Sequence, residues 1–304
     1  MPFNKSITVS LIIPVYNRQV FLDKALNSVL SQTVLPDEII VVDDNSLKPI
    51  RIAKEYKKIN IILLRNEINL GTSASRNIGI NYSSSNYCAF LDSDDLLSSR
   101  KIEFQKRIAE KFNSDFIYGS NIIVSDKKTF KAEFRSITNK NSYQELIDDF
   151  PFPNTSTLFI SKSFLKKIGG FDETLDTCED HDLWFKAAHN KAKFYGCEEA
   201  KTYFVQHFEE RLSLDVLKRI NSIPKFTENR RKEGMNLFNS FIFSNKYFAR
   251  IFLIFIFESI KYKSFKIFPK IFVFYFNYPL SFYFIMKNIF KKVIFKISKK
   301  KLSK

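Results

Sequence analysis

The nine residues YCAFLDSDD, at positions 87–95, decide the fold because an apolar run passes directly into three acids. The run from Tyr87 to Leu91 has the length and composition of a strand that is buried on both faces. Parallel α/β sheets bind their ligands beyond the carboxyl ends of the strands, which is where these acids lie. The stretch therefore predicts an acidic site at the end of a buried strand.

Apolar runs of the same kind alternate with helical patterns through the first hundred residues. The predicted strands are Thr8 to Ile13, Glu38 to Val42, Ile59 to Leu64 and Tyr87 to Leu91. All four are predicted to be buried on both faces. The predicted helices are Val20 to Leu30, Ile50 to Lys57 and Ser73 to Asn81. Because strands that alternate with helices form parallel sheets with right-handed crossovers, we expect such a sheet here.

The pattern after residue 98 is more mixed. It predicts an amphipathic helix over 99–113, a strand at Phe116 to Val124, an irregular stretch over 126–155 and a helix near Ser163 to Ile168. We therefore expect an α/β fold in which a mixed, mainly parallel sheet is flanked by helices.

Charge is distributed very unevenly along the 304 residues. The formal net charge is +16, yet residues 235–304 contain 14 Lys and Arg and one acid, Glu258. The same segment holds 16 of the 34 Phe residues. We therefore predict an α/β domain over 1–215, a connecting segment over 216–234 and a separate helical, basic and aromatic tail over 235–304.

The tail is predicted to associate with an anionic membrane surface. None of its apolar runs reaches the ~18 residues that a spanning helix needs, and the best candidate, 271–286, contains Asn277 and Pro279. Aromatic residues interleaved with lysine suit helices that lie in the headgroup plane, although insertion of the tail stays open. The N-terminus predicts no export signal. The expected location is therefore cytoplasmic and peripheral, on the inner face of the cell membrane.

Polar residues that follow the predicted strands should converge on one crevice. These residues are 14–17, 43–46 and 92–95. Mg²⁺ and Mn²⁺ prefer oxygen ligands and enter protein sites with one or two carboxylates plus substrate phosphates. The glycine-rich motifs of dinucleotide-binding and P-loop proteins do not occur in the sequence. The pattern therefore favours a divalent cation that holds a phosphate ester, and Asp92 and Asp94 can bind a metal and a ribose.

Six short motifs resemble the signature series of family 2 glycosyltransferases and occur in the family's order. They are PVYNR at 14–18, VVDDNS at 41–46, NLGTSASRNIGI at 69–80, LDSDD at 91–95, GGFDE at 169–173 and EDHDLW at 179–184. The resemblance covers about residues 1–215, which would then be the catalytic domain. It implies the GT-A fold, a nucleotide-diphospho-sugar donor, Mn²⁺ or Mg²⁺ as cofactor, and inversion at the anomeric carbon. Asn45 stands where the family's second motif has glycine.

The resemblance also implies roles for individual residues. Asp43 would contact the base, and Arg76 would approach the ribose or the diphosphate. The implied nucleotide-sugar contacts are Pro14, Tyr16, Asn17, Asp43, Arg76, Asp92 and Ser93, and the implied metal ligands are Asp92, Asp94 and His207. Direct displacement needs a group that takes the proton of the acceptor hydroxyl. Asp180 resembles the family's catalytic base, and Glu179 is its competitor.

The expected function is transfer of one sugar, from a UDP-sugar, to a hydroxyl of a lipid-linked or cell-envelope glycan such as lipopolysaccharide, lipooligosaccharide or capsule. Single transfer is expected because the QxxRW element of processive family members is absent. A nucleotidyltransferase is one alternative, since it also uses carboxylates, a metal and a related sheet. A scaffold or nucleic-acid-binding protein is another, because Lys interleaved with Phe and Tyr can form a stacking surface. Nucleic-acid binding leaves the acidic strand ends unexplained, so no nucleic acid is expected as a partner.

Overall fold

The computed structural model describes residues 6–53, 56, 60–125, 129–148, 151–205, 216–262, 278–281 and 283. The chain divides into two compact units. The first contains Met1–Thr174 and Glu179–Phe208, and the second contains Leu175–Cys178 and Glu209–Lys304. The domain boundaries expected at 215 and 235 stay a prediction.

A mixed sheet forms the centre of the first unit. Its strands are β1 (Val9–Val15), β2 (Glu38–Asp43), β3 (Ile61–Arg65), β4 (Tyr87–Phe90), β5 (Leu96–Leu97), β6 (Phe116–Val124), β7 (Thr129–Lys131), β8 (Leu158–Ser161) and β9 (Phe194–Val205). Their order is β3-β2-β1-β4-β8-β6-β9-β5, and β7 pairs with β6. The parallel ladders, β1 with β2 and β4, β2 with β3, and β6 with β9, are longer than the antiparallel ones. The predicted mixed, mainly parallel sheet is therefore confirmed.

Helices flank both faces of this sheet. They are α1 (Gln19–Leu30), α2 (Thr72–Tyr82), α3 (Lys101–Phe112), α4 (Ser142–Ile147), α5 (Lys162–Lys167) and α6 (Glu179–His189). Apolar residues of α1 and α3 share one core with alternate residues of β1, such as Leu11 and Ile13. On the other face, a Cβ at Gly79 of α2 would come within 2.5 Å of Ile12 Cγ2. Glycine at this position lets α2 pack directly against β1.

The first four predicted strands agree with the structure to within two residues at each end. β1, β2 and β4 are buried along their whole length, as their runs of β-branched and aromatic residues predict. β3 is different, because it is the edge strand and Leu63 is exposed. The prediction that all four strands are buried on both faces is wrong for β3.

Two other predictions need correction. Residues 50–53 of the predicted helix Ile50 to Lys57 are not helical, and of the rest only Tyr56 is described. The backbone N–H groups of Ile50 and Arg51 donate instead to the side chains of Asp43 and Gln19. The stretch 126–155, predicted to be irregular, contains β7 and α4. Pairing with β6 forms β7, and α4 packs its Tyr143 against Phe185 of α6 with ring centroids 5.4 Å apart.

Two long helices dominate the described part of the second unit. They are α7 (Val216–Lys232) and α8 (Leu237–Tyr262). Gly234, at φ +98°, makes the turn between them, and Phe226 of α7 packs on Phe243 and Tyr247 of α8. Among the described residues, no helix combines the length and the apolar composition that crossing a bilayer requires. Beyond Tyr262, only 278–281 and 283 of the predicted tail lie within the described residues.

Candidate active site

The acidic loop that follows β4 is anchored by the residues that precede β8. Asp95 is buried, and its carboxylate accepts hydrogen bonds from Asn154 Nδ2 at 2.7 Å and from Ser156 Oγ at 2.6 Å. Ser156 Oγ also accepts from the backbone N–H of Asp92 at 2.9 Å. Asp95 therefore stabilises the loop, while the carboxylates of Asp92 and Asp94 pair with arginine side chains. The sequence analysis singled out Asp92 and Asp94 for ligand binding, and it did not predict that Asp95 anchors the loop.

Arg76 joins this loop to the start of α6. Its Nη2 donates to Asp92 Oδ1 at 2.7 Å, and its Nη1 donates to Glu179 Oε1 at 2.9 Å. The guanidinium lies over the ring of Phe171, 5.2 Å from the ring centroid, and the side chain is only 3% exposed. Burial lowers the pKa of Arg76, but the charges of Asp92 and Glu179 outweigh it and raise this pKa further. A fully charged guanidinium is therefore fixed at the centre of the predicted site.

Asp94 has an arginine partner of its own. Arg18 Nη1 donates to Asp94 Oδ2 at 2.6 Å across 76 positions of sequence. Arg18 directly precedes α1, so the loop after β1 meets the loop after β4. This is possible because β1 and β4 are parallel neighbours, whose carboxyl ends lie at the same edge of the sheet. Arg18 was not predicted as a site residue, although it lies within the quoted PVYNR motif.

The two candidate bases lie side by side at the start of α6 in different surroundings. Burial, followed by the charge of Asp180, raises the pKa of Glu179 despite the opposing effect of Arg76. Asp180 is partly exposed, and its Oδ1 accepts from the backbone N–H of His181 at 2.8 Å. The positive end of the helix dipole favours an ionised carboxylate at this position. Phe152 stacks on His181 with ring centroids 4.2 Å apart, which brings the segment 152–157 close to Asp180.

Asp43, at the end of β2, is buried and enclosed by donors. Its carboxylate accepts from the backbone N–H of Ser46 at 2.9 Å, from that of Ile50 at 3.2 Å, and from Arg65 Nη1. Burial raises the pKa of Asp43, but these hydrogen bonds outweigh it, so the net shift is downward. Asn45 adopts φ +62°, the left-handed conformation that glycine adopts most readily. The residue that replaces the family's glycine thus makes the same kind of turn.

Asp44 has a structural role that the sequence analysis missed. Its carboxylate accepts from Asn66 Nδ2 and from the backbone N–H groups of Leu70 and Gly71, each at 2.8 Å. These contacts fix the loop that leads into α2 and therefore the position of Arg76. Two adjacent acids at the end of a strand were the only signal in the sequence, and it did not show that both are buried or which donors each one binds.

The remaining predicted contacts surround this centre. Tyr16 and Asn17 are exposed after β1, and Asn17 Oδ1 accepts from the backbone N–H of Leu47 at 2.7 Å. Ser93 is buried between Asp92 and Asp94. Pro14 is a buried residue of β1 and pairs with Val42, and its contact with the nucleotide stays a prediction. His207 lies outside the described residues.

The donor set suits a divalent cation that shares its ligands with a phosphate. Within the described part of the chain, no group of three or more His, Cys, Asp or Glu side chains is placed to hold a metal. Asp92 and Asp94 supply two carboxylates, and both are already paired with guanidinium groups. Two carboxylates plus substrate phosphates are a usual set for Mg²⁺. These residues therefore fit a cation that binds together with a diphosphate, rather than one in an all-protein cage.

Comparison with known proteins agrees with this geometry. Residues 10–169 match the family model described as glycosyl transferase family 2. An uncharacterized glycosyltransferase of Methanocaldococcus jannaschii is 32% identical over 63% of this chain and 68% of its own. One from Rickettsia typhi is 38% identical over 59% of this chain and 58% of its own. The chain thus spans little more than half the length of the Rickettsia typhi relative, and 30% of a Rickettsia felis relative.

Two further similarities concern a named enzyme and a solved structure. The Escherichia coli protein named UDP-Glc:alpha-D-GlcNAc-diphosphoundecaprenol beta-1,3-glucosyltransferase WfgD is 37% identical over 39% of this chain and 47% of its own. The crystal structure of S. aureus TarS residues 1–349 in complex with UDP-GlcNAc has a TM-score of 0.66 at 21% identity, over 81% of this chain and 73% of that one. At this identity the structural similarity establishes the fold.

The curled, mixed and mainly parallel sheet, with an acidic loop at the carboxyl ends of its strands, is the GT-A fold. Within that class, the chain belongs to glycosyltransferase family 2. The predicted fold and family are thereby confirmed.

Proposed function

We propose that the protein is an inverting glycosyltransferase that moves one sugar from a nucleotide-diphospho-sugar to an acceptor hydroxyl. The observation that carries this proposal is the bridge made by Arg76. One end of its guanidinium holds Asp92, next to the predicted diphosphate position, and the other holds Glu179, next to Asp180. A single fixed cation thus connects the acidic loop that would face the diphosphate with the start of α6, where the proposed base Asp180 lies.

Each residue would have a defined task in this reaction. The acceptor oxygen forms a bond to the anomeric carbon while the bond from that carbon to the diphosphate oxygen breaks. Asp180 takes the proton of the acceptor hydroxyl, because it is partly exposed and Arg76 binds Glu179 instead. Arg76 stabilises the negative charge that develops on the leaving diphosphate. Asp92 and Asp94 would hold Mn²⁺ or Mg²⁺, which supplies Lewis-acid stabilisation of the same charge.

The donor proposed is a UDP-sugar. TarS was solved with UDP-GlcNAc and with UDP, and the name of the E. coli relative specifies UDP-Glc. The loops around Asp43 and Asn17 would receive the base, because they lie at the carboxyl ends of the neighbouring strands β2 and β1.

The acceptor proposed is a lipid-linked or cell-envelope glycan. The name of the E. coli relative specifies a sugar carried on diphosphoundecaprenol. A lipid carrier would hold such an acceptor at a membrane, and the basic aromatic tail would bring the enzyme to it. The absence of QxxRW supports transfer of a single sugar.

A surface of the second unit supports attachment to an anionic bilayer. Leu237 and Phe238, in the first turn of α8, are 68% and 71% exposed, and Phe241 is also exposed. Arg231 and Lys232 are exposed at the end of α7, directly before the turn to α8. Apolar side chains bordered by cations match the boundary between acyl chains and anionic headgroups. We call these five residues the α7–α8 corner.

Vesicle flotation of the full chain would test this attachment. We expect binding to vesicles of phosphatidylcholine and phosphatidylglycerol, with roughly tenfold weaker partitioning for Leu237→Ser/Phe238→Ser and a similar loss for Arg231→Gln/Lys232→Gln. Phe130→Ser, which removes an exposed aromatic residue from β7, is the matched control and should bind like the wild type. Equal binding by the corner variants and the wild type would remove the corner from the membrane contact.

Turnover is tested by the release of nucleoside diphosphate from UDP-, GDP- and dTDP-sugars with Mn²⁺ or Mg²⁺, in the presence of a membrane extract as acceptor. We expect metal-dependent release from one donor, with a loss of about 100-fold or more in Asp94→Ala. Glu110→Ala, which removes an exposed acid from α3, should retain the wild-type rate. Release of pyrophosphate from nucleoside triphosphates would instead favour nucleotidyl transfer. Absence of any nucleotide binding would leave the scaffold and nucleic-acid hypotheses.

A further inference from the structure

Both carboxylates proposed to hold the metal are already paired with arginine side chains. Arg18 Nη1 is 2.6 Å from Asp94 Oδ2, and Arg76 Nη2 is 2.7 Å from Asp92 Oδ1. Each pair is a charge-assisted hydrogen bond between a guanidinium and a carboxylate. A free divalent cation that approached this loop would therefore meet carboxylates whose charge is already compensated.

The two arginine side chains differ in how firmly they are held. Arg76 is 3% exposed, is bound by a second carboxylate and lies over Phe171. The Arg18 side chain is 34% exposed and extends from the residue just before α1. Because a long, partly exposed side chain can change partner without moving the backbone, Arg18 is the arginine that can release its carboxylate.

A diphosphate offers Arg18 an equivalent partner. Guanidinium groups bind phosphate oxygens with the same planar, paired hydrogen bonds that they make with carboxylates. The twelve-residue helix α1 begins beside Arg18, and the positive end of its dipole also favours an anion there. If Arg18 turns to the diphosphate, the Asp94 carboxylate becomes available to a cation that also contacts the phosphates, so every charge stays paired.

We infer that Arg18 is an exchangeable partner of Asp94, which it holds in the ligand-free protein and releases when it binds the donor's diphosphate, so that metal and nucleotide bind cooperatively. The inference rests on the proposed function, since it needs a nucleoside diphosphate as ligand. It goes further by assigning a positioning and binding role to Arg18 and by giving the order in which the diphosphate and the cation bind. The cation binds weakly until a diphosphate is present.

Binding of Mn²⁺, followed by electron paramagnetic resonance of the free ion, tests the exchange without reference to turnover. The wild-type chain is titrated alone, with inorganic pyrophosphate and with UDP, after correction for Mn²⁺ complexed by each anion without protein. We expect both anions to tighten Mn²⁺ binding about tenfold or more, a usual size for coupling between two ligands. Binding of UDP without metal is measured separately by calorimetry.

The decisive variant is Arg18→Gln, which removes the charge and keeps a polar side chain. We expect it to bind Mn²⁺ alone several-fold more tightly than the wild type does, to bind UDP alone several-fold more weakly, and to lose most of the coupling. In each of these measurements, Arg18→Lys should fall between the wild type and Arg18→Gln, because a lysine can pair with Asp94 but lacks the planar fork of a guanidinium. Arg107→Gln removes an exposed arginine of α3 that pairs with Glu103, and it should match the wild type in every measurement. Thermal melting of each variant checks that it is folded.

The possible failures can be told apart. If UDP binds and Arg18→Gln retains the wild-type coupling and the wild-type affinity for Mn²⁺ alone, the exchange is wrong and the proposed function stands. A merely structural role of Arg18 would weaken Mn²⁺ and UDP binding together, and this outcome also overturns the exchange. If neither pyrophosphate nor any nucleotide binds the wild type, both proposals fail.

Discussion

Two cations, Arg76 and Lys101, are buried among the residues of the first unit that the structure describes, and their surroundings give them opposite properties. Arg76, at the carboxyl edge of the sheet, is bound by Asp92 and Glu179, whose charges raise its pKa. Lys101, at the start of α3, is fully buried, and its Nζ donates to the neutral Oε1 of Gln105 at 2.9 Å. Burial lowers the pKa of Lys101 to about 7, and the charge of Cys197 only partly opposes this. Burial alone therefore does not decide whether a cation stays charged; its partners do.

The comparison shows which buried site can hold a charged side chain for use in catalysis. At the Arg76 site, several elements deliver carboxylates to one guanidinium, which offsets the cost of removing it from water. At Lys101, the partner is an amide that donates in turn to the backbone carbonyl of Thr157. The position at the first turn of a helix also disfavours a positive charge. Arg76 thus fits a role in stabilising a leaving group, and Lys101 fits a packing role.

The largest effect is expected from Arg76→Gln. This change leaves Glu179, whose side chain is only 13% exposed, without its cation, and breaking one side of a buried ion pair typically costs about 3–5 kcal/mol of unfolding free energy. Urea denaturation of the wild type and the variant measures the loss. The matched control is Arg107→Gln, whose partner Glu103 keeps its contact with Arg100, and there we expect a change below about 0.5 kcal/mol.

A double variant makes that prediction sharper. Arg76→Gln/Glu179→Gln replaces the ion pair by two amides, so we expect it to recover part of the stability lost in Arg76→Gln. If the double variant instead loses as much unfolding free energy as the two single variants together, the two charges are independent of one another. That result would contradict the account of Arg76 as a partner-stabilised cation.

A smaller effect on stability, but a clear one on turnover, is expected at the two acids of α6. Asp180→Asn should reduce turnover by about 10²–10⁴, the usual contribution of a general base, with little change in unfolding free energy. Glu179→Gln keeps an acceptor for Arg76 and should retain far more activity. Turnover with a defined donor and acceptor, measured alongside denaturation, separates the two. A greater loss of turnover in Glu179→Gln than in Asp180→Asn would assign the base to Glu179.

The sequence was sufficient for the parts of the site that depend on local pattern. An apolar run followed by acids, as in YCAFLDSDD, predicts both a buried strand and the position of polar side chains at its end, because strand direction and burial are set by neighbouring residues. The positions of Asp43, Asp92, Asp94 and Asp180 followed from this logic and from the family resemblance. The place of Asp43, Asp92 and Asp94 at the carboxyl edge of one sheet follows from parallel pairing, whereas Asp180 lies at the start of α6.

The sequence was not sufficient for the partner of each acid. Arg18 and Asp94 are 76 residues apart, and Arg76 and Glu179 are 103 apart, so only the folded sheet brings them together. The same holds for Asp44, whose three donors come from the loop before α2. The helix predicted at Ile50 fails for a related reason, since side chains of Asp43 and Gln19 take the backbone N–H groups that a helix would use. Long-range hydrogen bonds override local propensity at these positions.

The smallest expected effect is at Lys101, and its dependence on pH tests the other side of the comparison. In the folded chain, Lys101 holds its proton only below about pH 7, whereas in the unfolded chain it holds the proton below about pH 10.5, the ordinary value. Since the unfolded state binds more protons between these values, the lysine's cost to stability is absent above pH 10.5 and grows until the pH falls to about 7.

Lys101→Met removes this cost but leaves Gln105 without its donor, so we expect a net gain of about 1–2 kcal/mol in unfolding free energy at pH 7. Urea denaturation at pH 7 and pH 10 should show a smaller gain at the higher pH, while Lys111→Met, an exposed change on the same helix, should show none at either. An equal gain at both pH values would mean that Lys101 is destabilising through its shape rather than its charge, and the contrast with Arg76 would then be one of packing.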